Sequence, residues 1–244
     1  FFLHVIGFSS LPVILMVSVV NLVMSFLCFV KYGILMFFFV GVFFFVFSLF
    51  MWLKDVMMEG VSGFHNFFVV EGFKLGFVIF IFTEVMFFFS VFWYFFDKMS
   101  FGVIWWPVES GMLSCWGVPF LGTIVLLSSG FFCTWSHAVV GESSFVFLLF
   151  LTWLLGFGFL LLQLYEYGDL LFDLSDGVYG SLFFFLTGFH GLHVFIGVVL
   201  LFLSLVRYLF GYVSWEDYFF FEGVAVYWHF VDVVWLLLFL VVYL

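Results

Sequence analysis

Glu84 stands near the middle of an apolar run, F-I-F-T-E-V-M-F-F-F, where a carboxylate is the least expected residue. At membrane depth such a group must be neutral, paired or hydrated. It reads either as a proton-binding site or as a protonated acid that hydrogen-bonds a neighbouring helix. A second set lies in T-G-F-H-G-L-H, where His190 and His193 are three residues apart and share a helical face. An i, i+3 pair ligates a metal when a second helix supplies carboxylates, and Glu84, Glu222 and His229 are the candidates. The competing reading, which the sequence favours, has each imidazole bonding across helices where Gly188, Gly191 and Gly197 let backbones approach. Depth then predicts that Glu84 pairs with a histidine of this stretch, His190 before His193. A third set closes the chain. Glu222, His229 and Asp232 follow one another at steps of seven and three, which at about 100° per residue brings them to one face. With no dense ligand set opposite them, they read as a polar seam locking the last helix to its neighbours.

Other polar residues carry weaker signals. His137, Gln163, Glu166 and Asp176 read as interhelical bonding or interfacial solvation. Trp52, Lys54, Asp55, Glu59, His65 and Arg207 gather toward one bilayer face if the helices alternate in direction. A cation, a histidine and a tryptophan at headgroup level suit a lipid phosphate, and they equally suit interfacial anchoring. Cys28, Cys115 and Cys133 are dispersed, with no CxxC pair and no metal spacing. The sequence contains no dense histidine box, no nucleophile–base arrangement, no phosphate loop and no dinucleotide fingerprint.

The elements that must hold these residues are membrane helices. The chain is 68% hydrophobic and 8% charged, with mean hydropathy +1.40, whereas a soluble domain carries about 25% charged residues. The net charge of −10 disfavours a nucleic-acid partner, which needs a basic face. Five Lys and Arg in all are too few for a polybasic lipid patch. The 48 phenylalanines and 3 prolines point to a T- and G-rich coding strand, as in a small organellar genome, so a single Phe is weak evidence of a role. The opening F-F-L-H-V-I-G-F has no Arg-rich presequence and no cleavable signal, which leads to the expectation of insertion from inside the compartment that made the chain.

Runs of about 20 apolar residues span a bilayer. Seven are expected: Leu11 to Val30, Ile34 to Met57, Gly72 to Phe96, Val118 to Val140, Phe145 to Tyr167, Val178 to Phe210, and Phe221 to Leu244. The fold class is thus all-α and polytopic. Residues 1–58 form a hairpin of two helices, 59–71 a polar connector, and 72–244 a five-helix bundle. Basic residues divide three against two between alternate connectors, too even a split to orient the chain.

Several motifs resemble those of one family. They are W-L-K-D-V-M-M-E at Trp52 to Glu59, G-F-H-N at Gly63 to Asn66, T-E-V-M-F-F-F at Thr83 to Phe89, and V-P-F-L-G-T at Val118 to Thr123. They continue with S-S-G-F-F-C-T-W-S-H at Ser128 to His137 and S-D-G-V-Y-G-S-L-F-F at Ser175 to Phe184. T-G-F-H-G-L-H-V at Thr187 to Val194 and Y-W-H-F-V-D-V-V-W-L at Tyr227 to Leu236 complete the set. In this order they resemble cytochrome c oxidase subunit III over Trp52 to Leu244, while the first 50 residues match only in being a helical hairpin. The resemblance implies two helices and then five, splayed into a V whose cleft holds phospholipids. It implies a non-catalytic subunit beside the catalytic haem–copper subunit I and other oxidase subunits. There it supports assembly, proton uptake and turnover stability, with no metal of its own and with haem and copper in the partners. Glu84 matches the family's membrane-embedded carboxylate, and Trp52, Lys54, Glu59, His65 and Arg207 match positions near lipid headgroups. The implied location is the mitochondrial inner membrane, N-terminus in the matrix and C-terminus in the intermembrane space.

The chain departs from the pattern at four places. Lys54 replaces the usual Arg, Asp97 stands where a His is common, the loop with Trp106-Pro107 lacks a second Pro, and Ala138 replaces a second His. A reading of another class is a stand-alone proton-coupled carrier or membrane metalloenzyme using Glu84, His190 and His229.

Overall fold

The computed structural model describes residues 9–63, 67–102, 115–142, 144–210 and 217–244. Seven α-helices run in order: α1 (Leu11–Tyr32), α2 (Leu35–Val61), α3 (Phe67–Ser100), α4 (Val118–Ala138), α5 (Ser144–Asp169), α6 (Gly177–Leu209) and α7 (Asp217–Leu238). A π-helical turn, Phe239–Tyr243, ends the last of them. No strand occurs among the described residues. All seven helices are long and apolar enough to cross a membrane.

The expected spans are present, with altered ends. Most of 59–71, read above as a polar connector, is helix: α2 continues to Val61 and α3 starts at Phe67. Glu71 and Lys74 are therefore helical residues. The 34 residues of α3 make a rod of about 51 Å, well beyond the roughly 30 Å hydrocarbon core. Charged residues in its first turns can thus stay helical outside the lipid tails. The last helix also starts earlier than hydropathy suggests, at Asp217.

The chain divides into two compact units between Gly76 and Phe77, inside α3. The first unit is built on the α1–α2 hairpin. Gly33, at φ 69°, closes α1 in a left-handed cap whose N–H bonds the Phe29 carbonyl at 2.8 Å, and α2 resumes two residues later. Small residues then line a seam at heptad spacing. Ser18 and Ser48 join hydroxyls at 2.7 Å, and Gly41 lies so close to Ser25 that a Cβ would collide with its hydroxyl. Lipid tails offer no hydrophobic contrast with a leucine surface, so close backbone approach and interhelical bonds must hold such a pair.

In the second unit, α4, α5, α6 and α7 pack around Trp228, which is fully buried. Its indole N–H donates to Ser129 Oγ of α4 at 3.0 Å. Its ring fills a slot between two glycines: an added Cβ would lie 2.5 Å from it at Gly156 of α5 and 2.8 Å at Gly197 of α6. The part of α3 in this unit meets α6 through rings, with Phe87 and Phe189 centroids 4.4 Å apart and Phe88 and Phe189 at 5.5 Å. The π-helical turn leaves Val242 O to accept the Tyr179 hydroxyl at 2.8 Å, tying the end of the last helix to the start of α6.

Candidate functional site

Glu84 of α3 and His193 of α6 form the central polar contact, Oε2 to Nε2 at 3.1 Å. The Glu84 side chain is 21% exposed and that of His193 is 6% exposed. Phe88 packs edge-on to the imidazole at 5.4 Å, and Phe189 covers it at 4.7 Å. Tyr227 of α7 stacks at 6.3 Å and gives its hydroxyl proton to the His193 carbonyl at 3.4 Å. Three helices thus converge on one carboxyl–imidazole pair.

The proton inventory of this pair follows from one further bond. His193 Nδ1 lies 2.9 Å from the Phe189 carbonyl. A carbonyl only accepts, so Nδ1 carries the proton. Nε2 then faces Glu84 either as an acceptor from a neutral acid or as the second N–H of an imidazolium donating to a carboxylate. An unprotonated Nε2 against a carboxylate would set lone pair against lone pair. In both allowed states the contact contains one proton and the pair has no net charge. A low-dielectric site tolerates a neutral pair and penalises an unpaired charge.

The sequence reading placed His190 ahead of His193 as partner, and the structure corrects this. Three residues turn a helix by about 300°, so the two imidazoles diverge by about 60°. His190 points into the bundle instead. It is fully buried, and Nε2 donates to the Val231 carbonyl at 3.3 Å. Trp235 and Phe159 enclose its ring at 5.1 and 5.8 Å.

The three polar residues of α7 have distinct settings. Asp232 is buried at 7% exposure, with Oδ2 against Gly130 of α4, where a Cβ would lie at 2.5 Å. His229 Nδ1 is 3.9 Å from that oxygen, and its side chain is 39% exposed. Glu222 is exposed in this chain. Of the candidate lipid contacts, Trp52, Lys54 and Glu59 are exposed along the last turns of α2. Arg207, near the end of α6, lies over the Phe220 ring at 4.9 Å. His65 lies outside the described residues, as do Trp106 and Pro107.

Two features escaped the sequence reading. Tyr227 was seen only as part of a motif, and the Trp228 slot not at all. A signal existed in the placement of both rings well inside a helix, away from the interfacial levels that Tyr and Trp favour. Among the described residues, no group of three or more His, Cys, Asp or Glu is placed to hold a metal.

Seven apolar helices carrying a partly buried carboxyl–imidazole pair define a polytopic helical membrane protein. A family model described as Cytochrome c oxidase subunit III matches residues 1–244. Cytochrome c oxidase subunit 3 of Pylaiella littoralis is 42% identical over 212 residues, covering 83% of this chain and 78% of that protein. The Locusta migratoria protein of the same name is 43% identical over 207 residues, 81% of this chain and 79% of the relative. That of Rhipicephalus sanguineus is 37% identical over 249 residues, with 98% and 97% covered. The chain belongs to the cytochrome c oxidase subunit III family.

Proposed function

We propose that this chain serves as the non-catalytic subunit III of a cytochrome c oxidase in the mitochondrial inner membrane. It assembles beside the catalytic haem–copper subunit I and holds neither haem nor copper itself. As in the arrangement that the family resemblance implies, the two-helix hairpin and the five-helix bundle would splay into a V, with phospholipid headgroups in its cleft near Trp52, Lys54, Glu59, His65 and Arg207. The N-terminus faces the matrix and the C-terminus the intermembrane space. The chain stabilises turnover of the catalytic subunit and supports its proton uptake. Within that role Glu84 and His193 hold a proton in a net-neutral contact, while Asp232, with His229 beside it, helps secure α7.

The observation that carries this reading is the family match across the whole length, 1–244. The Glu84–His193 contact at 3.1 Å supports the proton-holding part, because a neutral shared-proton pair persists at depth where a lone carboxylate would not. The test is selective removal of this chain from the purified oxidase, followed by oxygen consumption over many turnovers. The depleted enzyme should start at a comparable rate and inactivate after fewer turnovers, with loss of bound phospholipid. Undiminished endurance after depletion would count against the role, and so would isolation of this chain alone as an active carrier.

A further inference from the structure

Five buried side-chain atoms have no hydrogen-bond partner among the described residues: Glu166 Oε1, His190 Nδ1, Asp232 Oδ1, Trp235 Nε1 and Tyr243 OH. Four of these belong to one contiguous cluster. The His190 and Trp235 ring centroids are 5.1 Å apart, and those of Trp235 and Tyr243 are 5.9 Å apart. The Tyr243 hydroxyl lies within reach of Glu166 and Gln163, in a geometry too poor to satisfy it fully. Gln163 Nε2 donates to the other Glu166 oxygen at 3.1 Å. Relative exposure is 7% for Glu166, 0% for His190, 1% for Trp235 and 0% for Tyr243.

His190 and Trp235 do not satisfy each other. Indole N–H can only donate. His190 Nε2 spends its proton on the Val231 carbonyl, 3.3 Å away, so neutral Nδ1 can only accept. Donor and acceptor are therefore complementary in kind, but the two rings are tilted by only 32°. The indole N–H and the imidazole Nδ1 lone pair make no bond to each other. A buried polar group left unmet is costly, and such clusters are the sites where buried solvent makes two to four bonds. The species required is small and both donates and accepts.

We propose that the interior where α5, α6 and α7 converge binds ordered water, held between Glu166, Tyr243, Trp235 and His190. The hydrated cluster begins at the membrane edge. Glu166 is within one turn of the end of α5 at Asp169, and Tyr243 closes the π-helical turn. It reaches inward to His190, thirteen residues beyond the first residue of α6, about 20 Å along the axis. Solvent thereby gains a foothold on the C-terminal side of the bundle, one helical turn in sequence from His193. The cluster's hydration is separable from the role in an oxidase, since a dry interior would leave family membership untouched.

A structure of the intact complex at a resolution that shows water tests this directly. At least one ordered solvent peak should lie within hydrogen-bond distance of two of the four atoms. In the complex carrying Trp235→Phe the peak nearest the ring should vanish while Glu166 and Tyr243 stay in place. A wild-type interior with no solvent peak, closed by direct protein bonds, would overturn the proposal. Ultraviolet resonance Raman of the wild-type complex in D2O gives a second readout, with Trp235→Phe supplying the difference spectrum. The Trp235 indole should appear deuterated within minutes and hydrogen-bonded. An indole that stays protonated and unbonded would be equally fatal.

Discussion

One proton on His193 governs the chemistry at residue scale. The Phe189 carbonyl, 2.9 Å from Nδ1, fixes that proton, so the contact between Nε2 and Glu84 must contain another. Glu84→Gln replaces the acid with an amide that can still donate to Nε2, keeping the contact and removing its acidic proton. The variant should assemble normally, and the infrared difference spectrum of the complex should lose a carboxyl or imidazolium band. His193→Leu is the harsher change, because it leaves Glu84 with an unmet carboxyl. It should destabilise the chain by about 1–3 kcal/mol, read as a lower thermal midpoint of the complex. If the Gln variant were as damaging as the Leu variant, the shared proton would be a structural requirement, and the proton-holding reading would lose its support. That Glu84 needs a partner was legible from its apolar surroundings. Which histidine answers was not, because a turn of about 60° between His190 and His193 matters only once the facing helix is placed.

At the scale of elements, close approach replaces the hydrophobic effect that would drive packing in water. The Trp228 ring fits because Gly156 and Gly197 lack side chains, with hypothetical Cβ atoms 2.5 and 2.8 Å from the indole. Gly156→Ala and Gly197→Ala should each cost about 1–3 kcal/mol by overpacking. Gly158→Ala and Gly191→Ala meet nothing within 4 Å and should be nearly neutral, or stabilise slightly through helix propensity. Thermal unfolding of the four variants in the complex checks the contrast, and equal effects at all four sites would show that the slot is not the cause. Sequence shows four glycines in long apolar helices and cannot rank them. The ranking comes from a single indole supplied by α7, far away in the chain. The ends of α3 were missed for a related reason: hydropathy marks where lipid begins, while a helix continues wherever its backbone bonds do.

For the whole molecule, the lone chain buries little of its early helices. Only 11% of the spanning window is buried in α1, α2 and α3, against 50% in the last helix. In the proposed complex, lipid and partner subunits cover that surface. In the proposed lipid-binding role, Arg207 is the cation of α6 that meets a lipid phosphate. Its planar guanidinium suits bidentate contact in a way that the Lys54 ammonium does not. Arg207→Ala should lower the phospholipid retained per purified complex, and Arg207→Lys should retain an intermediate amount, measured by extracted lipid phosphorus. Unchanged phospholipid in the Ala variant would remove Arg207 from the lipid site.

Composition and hydropathy by themselves determined that this is a seven-span helical membrane protein. Helices of about 20 residues are among the few backbones that satisfy their own polar groups in lipid, so apolar length alone sets their number. Motif order was enough to point to the family. Tertiary structure decided the pairings: Glu84 with His193, Trp228 with its two glycines, and the unmet polar atoms of Glu166, Tyr243, Trp235 and His190 gathered in one cluster. In a chain where lipid-facing and core-facing surfaces are equally apolar, no periodic signal separates one face from the other. The partner of a buried polar group is therefore fixed only when the helices meet.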